Sequence, residues 1–243
     1  MKAKNAWVVA LTALALAAAV LAPAVAYARV SEYQVQFLPV GQTGSSEVIV
    51  NVVLSPETGL PATVTVPLPA GAQVLWSGEI LGGNPADDPF RQPSVVPTAG
   101  ALAAIFRLEQ KPIAQVEATV GEPRVRGQRV ESTLAWVNAA EEGTYTFSVV
   151  VEAGARDIEI SPKPVGEPRR NDAGETLYVL APVRLAAGQK FDVSVRYVRS
   201  DGAAAQGGAA TSGNAVVIAA AAGLGLALIA LVLVLRKERA RSA

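Results

Sequence analysis

The sequence predicts an all-β body built as two tandem immunoglobulin-like antiparallel sandwiches, set between an N-terminal signal peptide and one C-terminal transmembrane helix. Three observations carry this. Short apolar-alternating runs punctuated by Gly and Pro fill the body, an apolar segment closes each end, and one stretch recurs 83 positions downstream.

Taken in order, Ala6 to Leu21 is an Ala/Val/Leu run behind Lys2 and Lys4, followed by Pro23 and the triplet Ala26-Tyr27-Ala28. A basic start, a short apolar core and small residues at a processing point are the parts of a secretory signal, here residues 1–28. The core is short for a membrane span, which disfavours an uncleaved anchor.

The body follows. Tyr33-Gln34-Val35-Gln36-Phe37, Thr63-Val64-Thr65-Val66, Thr144–Val149 and Phe191–Tyr197 all alternate with period two, the mark of half-buried strands. About eleven such runs are expected from spacing and turn residues. Residues Thr63–Val74 lie over Thr146–Asp157 without a gap, with the Ala-Gly-Ala turns at 70–72 and 153–155 in coincidence. At the same offset Glu47–Leu54 falls on Val130–Val137. The duplication predicts separate sandwiches over 29–120 and 121–199, joined near 119–125, each somewhat below the size typical of the architecture. No motif resembles a named family.

Residues 200–214 are rich in Gly and Ala and read as a flexible tether of about 20 Å. Ala215 to Leu235 is uncharged and long enough to cross a bilayer as a helix. Arg236, Lys237, Arg239 and Arg241 in the tail 236–243 place that end in the cytoplasm. The expected location is therefore the cell membrane, single-pass, with the body extracellular or periplasmic.

Composition excludes whole classes of chemistry. The chain has no Cys and no His, and its only Met is the first residue. Disulfides are impossible, and thiolate and imidazole ligands for zinc, copper or iron are missing, as are the parts of histidine-based nucleophilic catalysis. No cofactor is expected. Residues 29–214 hold 15 Lys+Arg against 20 Asp+Glu, a mildly acidic balance that argues against nucleic acid and anionic head groups as partners.

Candidate sites are few. Asn84, Asp87 and Asp88, in the long stretch Gly82–Gly100, offer oxygen atoms to calcium, but without the ordered spacing of a calcium loop; a solvated loop is the simpler reading. Phe90 and Arg91 in that stretch, with Arg169, Arg170 and Asp172 in Pro162–Gly174, are candidates for partner contact, since loops on a rigid scaffold often carry recognition. Trp76 and Trp136 suit a core better than a sugar platform. Asp87–Asp88 and Glu141–Glu142 are sequence neighbours that an extended backbone points apart.

These features lead to the expectation of a non-catalytic, envelope-exposed binding or assembly protein with a protein or polysaccharide partner. A carbohydrate-binding module and a carboxylate-based hydrolase are the alternatives.

Overall fold

The computed structural model describes residues 28–98 and 100–200. Except for Ala28, the expected signal peptide lies outside the described residues, as do 201–214 of the tether, the 215–235 helix and the tail. Among the described residues no helix is long and apolar enough to cross a membrane.

The body is all-β. Among the described residues, fifteen strands run in chain order: β1 Val30–Leu38, β2 Glu47–Leu54, β3 Ala62–Leu68, β4 Gln73–Glu79, β5 Ser94–Thr98, β6 Ala101–Leu108, β7 Ile113–Thr119, β8 Arg124–Arg126, β9 Arg129–Val137, β10 Gly143–Val151, β11 Arg156–Ser161, β12 Arg169–Arg170, β13 Thr176–Val179, β14 Val183–Leu185 and β15 Lys190–Val198. The number exceeds the roughly eleven alternating runs mainly because β8, β12 and β14 span only two or three residues, too few to show a period.

Three sheets result. An eight-stranded sheet has the order β12-β13-β10-β1-β2-β7-β4, with β14 also on β10. A four-stranded sheet runs β11-β15-β9-β8, and a three-stranded sheet β3-β6-β5. Val35, Val50, Val116 and Phe147 from the large sheet, Val64 and Phe106 from the three-stranded sheet, and Leu134, Trp136 and Val195 from the four-stranded sheet belong to one buried cluster. The two small sheets therefore cover the same face of the large one. Trp136 sits edge-on to Tyr145 and Phe147, at centroid separations of 5.9 and 5.6 Å, near the middle of this core.

The stretches matched in sequence share part of their strand arrangement. β7 lies between β2 and β4, as β15 lies between β9 and β11. The turns after β3 and β10 match: Gly71 and Gly154 have φ of 75° and 74°, which only glycine adopts at no steric cost. Ala72 N donates to Pro69 O and Ala155 N to Glu152 O, both at 3.3 Å.

Two corrections follow. The halves are not separate sandwiches: β1 pairs antiparallel with β2 on one side and parallel with β10 on the other, so one sheet runs through both. The apolar sides of Tyr33, Val35 and Phe37 then bind both halves into a single core. The second correction concerns phase. Val48, Val50, Val52 and Leu54 of β2 face the core, whereas β9 turns Val130, Ser132, Leu134 and Trp136 inward. At an offset of 83 these sets fall on opposite faces, a one-residue slip. The run Glu47–Leu54 is apolar at nearly every position, so its own pattern leaves the phase open.

Candidate functional site

The second face of the large sheet, turned away from both small sheets, holds the least expected chemistry. Strand pairing sets two rows across it. One reads Trp76, Glu117, Ile49, Gln36, Ser148 and Val179 over β4-β7-β2-β1-β10-β13; the other reads Gly78, Gln115, Asn51, Gln34 and Thr146. Period-two alternation suggests solvated polar side chains here. Instead, Gln34, Gln36, Asn51, Gln115 and Ser148 are each no more than 2 % exposed.

Several of these groups have no hydrogen-bond partner: Gln34 Oε1, both amide atoms of Gln36, Asn51 Oδ1 and Ser148 Oγ. They adjoin one another in the two rows, and buried polar groups are nearly always paired. Around them the satisfied members are Gln115, whose Nε2 donates to Glu117 Oε1 at 2.7 Å, and Thr146, whose hydroxyl donates to Glu32 Oε1 at 3.0 Å. Burial pushes the Glu117 carboxyl up to about 7, against the Gln115 hydrogen bond and with help from the nearby Glu47 charge. The face thus offers neutral amide and hydroxyl groups beside one carboxyl that changes charge near neutrality. Ile49, Leu38 and Val150 form a small apolar cluster on the same face, with Leu177 against it.

The signal for this band was present in the sequence. Asn51 interrupts an otherwise apolar run, Gln115-Val116-Glu117 alternates inside another, and Gln34 and Gln36 flank Val35.

The residues singled out from sequence are dispersed. Asn84 Oδ1 accepts from Ala86 N at 3.2 Å and caps the 3-10 turn Pro85–Asp87, while Asp88 Oδ1 accepts from Leu81 N at 2.8 Å. Burial raises the Asp88 carboxyl, opposed by that backbone bond and reinforced by Asp87. Both side chains are taken up by the loop's own backbone, and no group of three metal-binding His, Cys, Asp or Glu residues gathers among the described residues.

Arg91 is a structural residue, not a free contact. Its guanidinium lies 2.7 Å from the fully buried Glu79 carboxylate and 3.4 Å from Glu109. Burial opposes the Glu79 charge, but the N–H groups of Gln110, Lys111 and Glu109 and the Arg91 guanidinium outweigh it and hold the carboxyl below its ordinary range. Phe90 is 54 % exposed and bridges Gly78 at the free edge of β4. Arg169 and Arg170 form β12, exposed at the other edge of the sheet, and Asp172 lies in the turn that Gly174 N closes onto Asn171 O. The stretch Gly82–Gly100 is also less irregular than expected, since β5 occupies part of it.

Trp136 is a core residue. Trp76 is buried as well, but on the second face beside Glu117 and in the third strand of its unit, so the two tryptophans are not equivalent. A carbohydrate module built on an exposed tryptophan platform is thereby ruled out for the described residues.

No family model matches the chain, and no curated protein matches it. Among solved structures it is similar to native leukotriene A4 hydrolase from Saccharomyces cerevisiae, in two determinations with TM-scores of 0.39 and 0.40 and 7% identity. The match covers 69% of this chain and 28% and 29% of those chains, so the chain spans less than a third of their length. These findings correct the expectation of a non-catalytic binding or assembly protein. Both yeast structures are of a hydrolase, and neither supports that role. At this level of similarity they assign no activity in return.

Proposed function

We propose that the chain is a single-pass membrane protein that holds its β body outside the cytoplasm, and that the body works on uncharged polar groups at the amide band of its large sheet. The location is supported by the signal-like segment 1–28, by the apolar run 215–235 and by the basic tail behind it. The band carries the second half of the proposal: Gln34, Gln36, Asn51 and Ser148 present unmatched donors and acceptors side by side in a buried place. A molecule that supplies complementary amide, carbonyl or hydroxyl groups gains hydrogen bonds there without displacing any formed within the protein.

Because the chain lacks cysteine, single substitutions can report on both parts. In right-side-out membrane vesicles, an impermeant maleimide should label Phe90→Cys at once and Arg239→Cys only after permeabilisation. A photo-reactive side chain at position 36 should form an adduct in native membranes, while one at Val95, on the three-stranded sheet, should not. Labelling of Arg239→Cys from outside would end the topology, and equal adducts at both positions would end the role of the band.

A further inference from the structure

The end of the four-stranded sheet from which the chain leaves the body is a row of arginines. Strand pairing aligns Arg156 of β11, Val198 of β15, Arg129 of β9 and Arg126 of β8. Their side chains share the outer face, because Val130 next to Arg129 faces the core. All three arginines are exposed, and none forms an ion pair with a carboxylate among the described residues.

The next row differs. Glu159, Arg196, Glu131 and Arg124 alternate in sign, with Arg196 at 3.1 Å from Glu131 and 3.4 Å from Glu159. Asp157 belongs to the bulge between the two rows. Arg126 and Arg129 face each other directly across the turn at Gly127, where like charges cost stability. Such a cost is offset when a negative surface lies opposite.

That surface is identified by where the chain goes. Arg199 N donates to Gln128 O, so the exit strand is fixed beside the arginine hairpin. Taken as the coil that its composition predicts, the tether 201–214 would span about 20 Å before the proposed anchor. With the proposed anchor in place, the arginine row at the chain's exit is the end of the body held closest to the bilayer.

We propose that the β8–β9 hairpin and Arg156 dock on anionic lipid head groups of the membrane that anchors the chain. This inference rests on the proposed C-terminal anchor. It also replaces the sequence expectation that the acidic balance disfavours anionic head groups: the average charge conceals a cationic row at one end.

The test uses the full chain in lipid nanodiscs, with a single fluorophore on Val125→Cys in the hairpin or on Gly59→Cys in the loop at the far end of β2. With a spin-labelled head group as quencher, the position-125 dye should be quenched in phosphatidylglycerol discs at low salt, and the position-59 dye should not. Each of Arg126→Ala, Arg129→Ala and Arg156→Ala should weaken the association about fivefold, and salt at about half molar should remove it, since the screening length falls to a few ångströms. Equal quenching in neutral phosphatidylcholine discs, or a triple alanine variant that is still quenched, would overturn the docking while leaving the anchor intact. A chain that fails to enter the discs would overturn the anchor and the docking together.

Discussion

The unit β2–β4 with β7 and the unit β9–β11 with β15 share an order of strands and a glycine turn, yet they treat their outer faces oppositely. In the second unit, Glu131, Arg196 and Glu159 lie on a solvated face and pair with one another. In the first, the corresponding face is closed, and Gln115, Glu117 and Asn51 lie buried on it. The same local chain path can therefore carry a solvated charged face in one copy and a buried band of amides in the other. β1 joins the first unit's sheet edge to edge with β10 of the second unit, so the face that carries these groups continues across both.

The largest effect that separates the units comes from phase. Trp136→Ala should cost about 3–5 kcal/mol, as expected for removal of a buried aromatic. Val53→Ala, its partner at the 83-residue offset, should cost about 1 kcal/mol, because Val53 is only half-buried on the other face. Urea midpoints of the two variants measure this. Comparable losses would mean that the two strands face the core in the same phase.

A second contrast lies in pH dependence within the first unit. Folded Glu117 holds its proton up to about 7, whereas an unfolded glutamate loses it near 4.5. Between those values the folded state binds more protons, so stability falls as pH rises from 4.5 to 7 and is level above. Glu117→Gln should remove that slope, matching the native chain at pH 4 and exceeding it by roughly 3 kcal/mol at pH 8. Glu79 has the opposite sign: its folded carboxyl is lowered, so its contribution is present above the unfolded value and is lost as pH falls through the folded one. Melting temperatures across pH 2–8 distinguish the two, with the Glu117 slope above pH 4.5 and the Glu79 loss below it. A Glu117→Gln advantage that persists unchanged at pH 4 would exclude titration as its cause.

The matched turns give a finer comparison. Gly71→Ala meets open space and should cost only the strain of a positive φ, about 1 kcal/mol. Gly154→Ala should cost more, because its added Cβ would lie 2.9 Å from Ser200 Oγ. Ser200→Gly in the same chain should bring the two costs level. The smallest effect is expected on the solvated wall: Arg196→Ala should change stability by less than about 1 kcal/mol, since its side chain is 57% exposed and its partners 43% and 72%.

Much of this was legible beforehand, and the limits have physical causes. The all-β class, the glycine turns that follow β3 and β10, and the buried Trp136 follow from alternation and turn chemistry, but the strands on either side of each turn enter different sheets and form no hairpin. Pairing between β1 and β10 does not follow, since a parallel contact between remote segments leaves no local mark. Nor does alternation show whether the polar side of a strand meets water. Gln34 and Gln36 are patterned like surface residues but buried like core, while Asn51 within Glu47–Leu54 was the better clue. Arg91 shows the converse: a charged residue in a loop reads as a contact until its buried carboxylate partner is known.

The position of β1 also sets an order of events. As the first strand of the body it meets β2 across a short connection, but its other neighbour arrives late: Glu32 and Thr146, which join across that seam, are 114 positions apart. During synthesis one side of β1 therefore waits open while most of the body is still being made. Closing so distant a contact is slow. Until β10 arrives, the unpaired edge of β1 is the place where the emerging chain is most open to mispairing with another copy of itself.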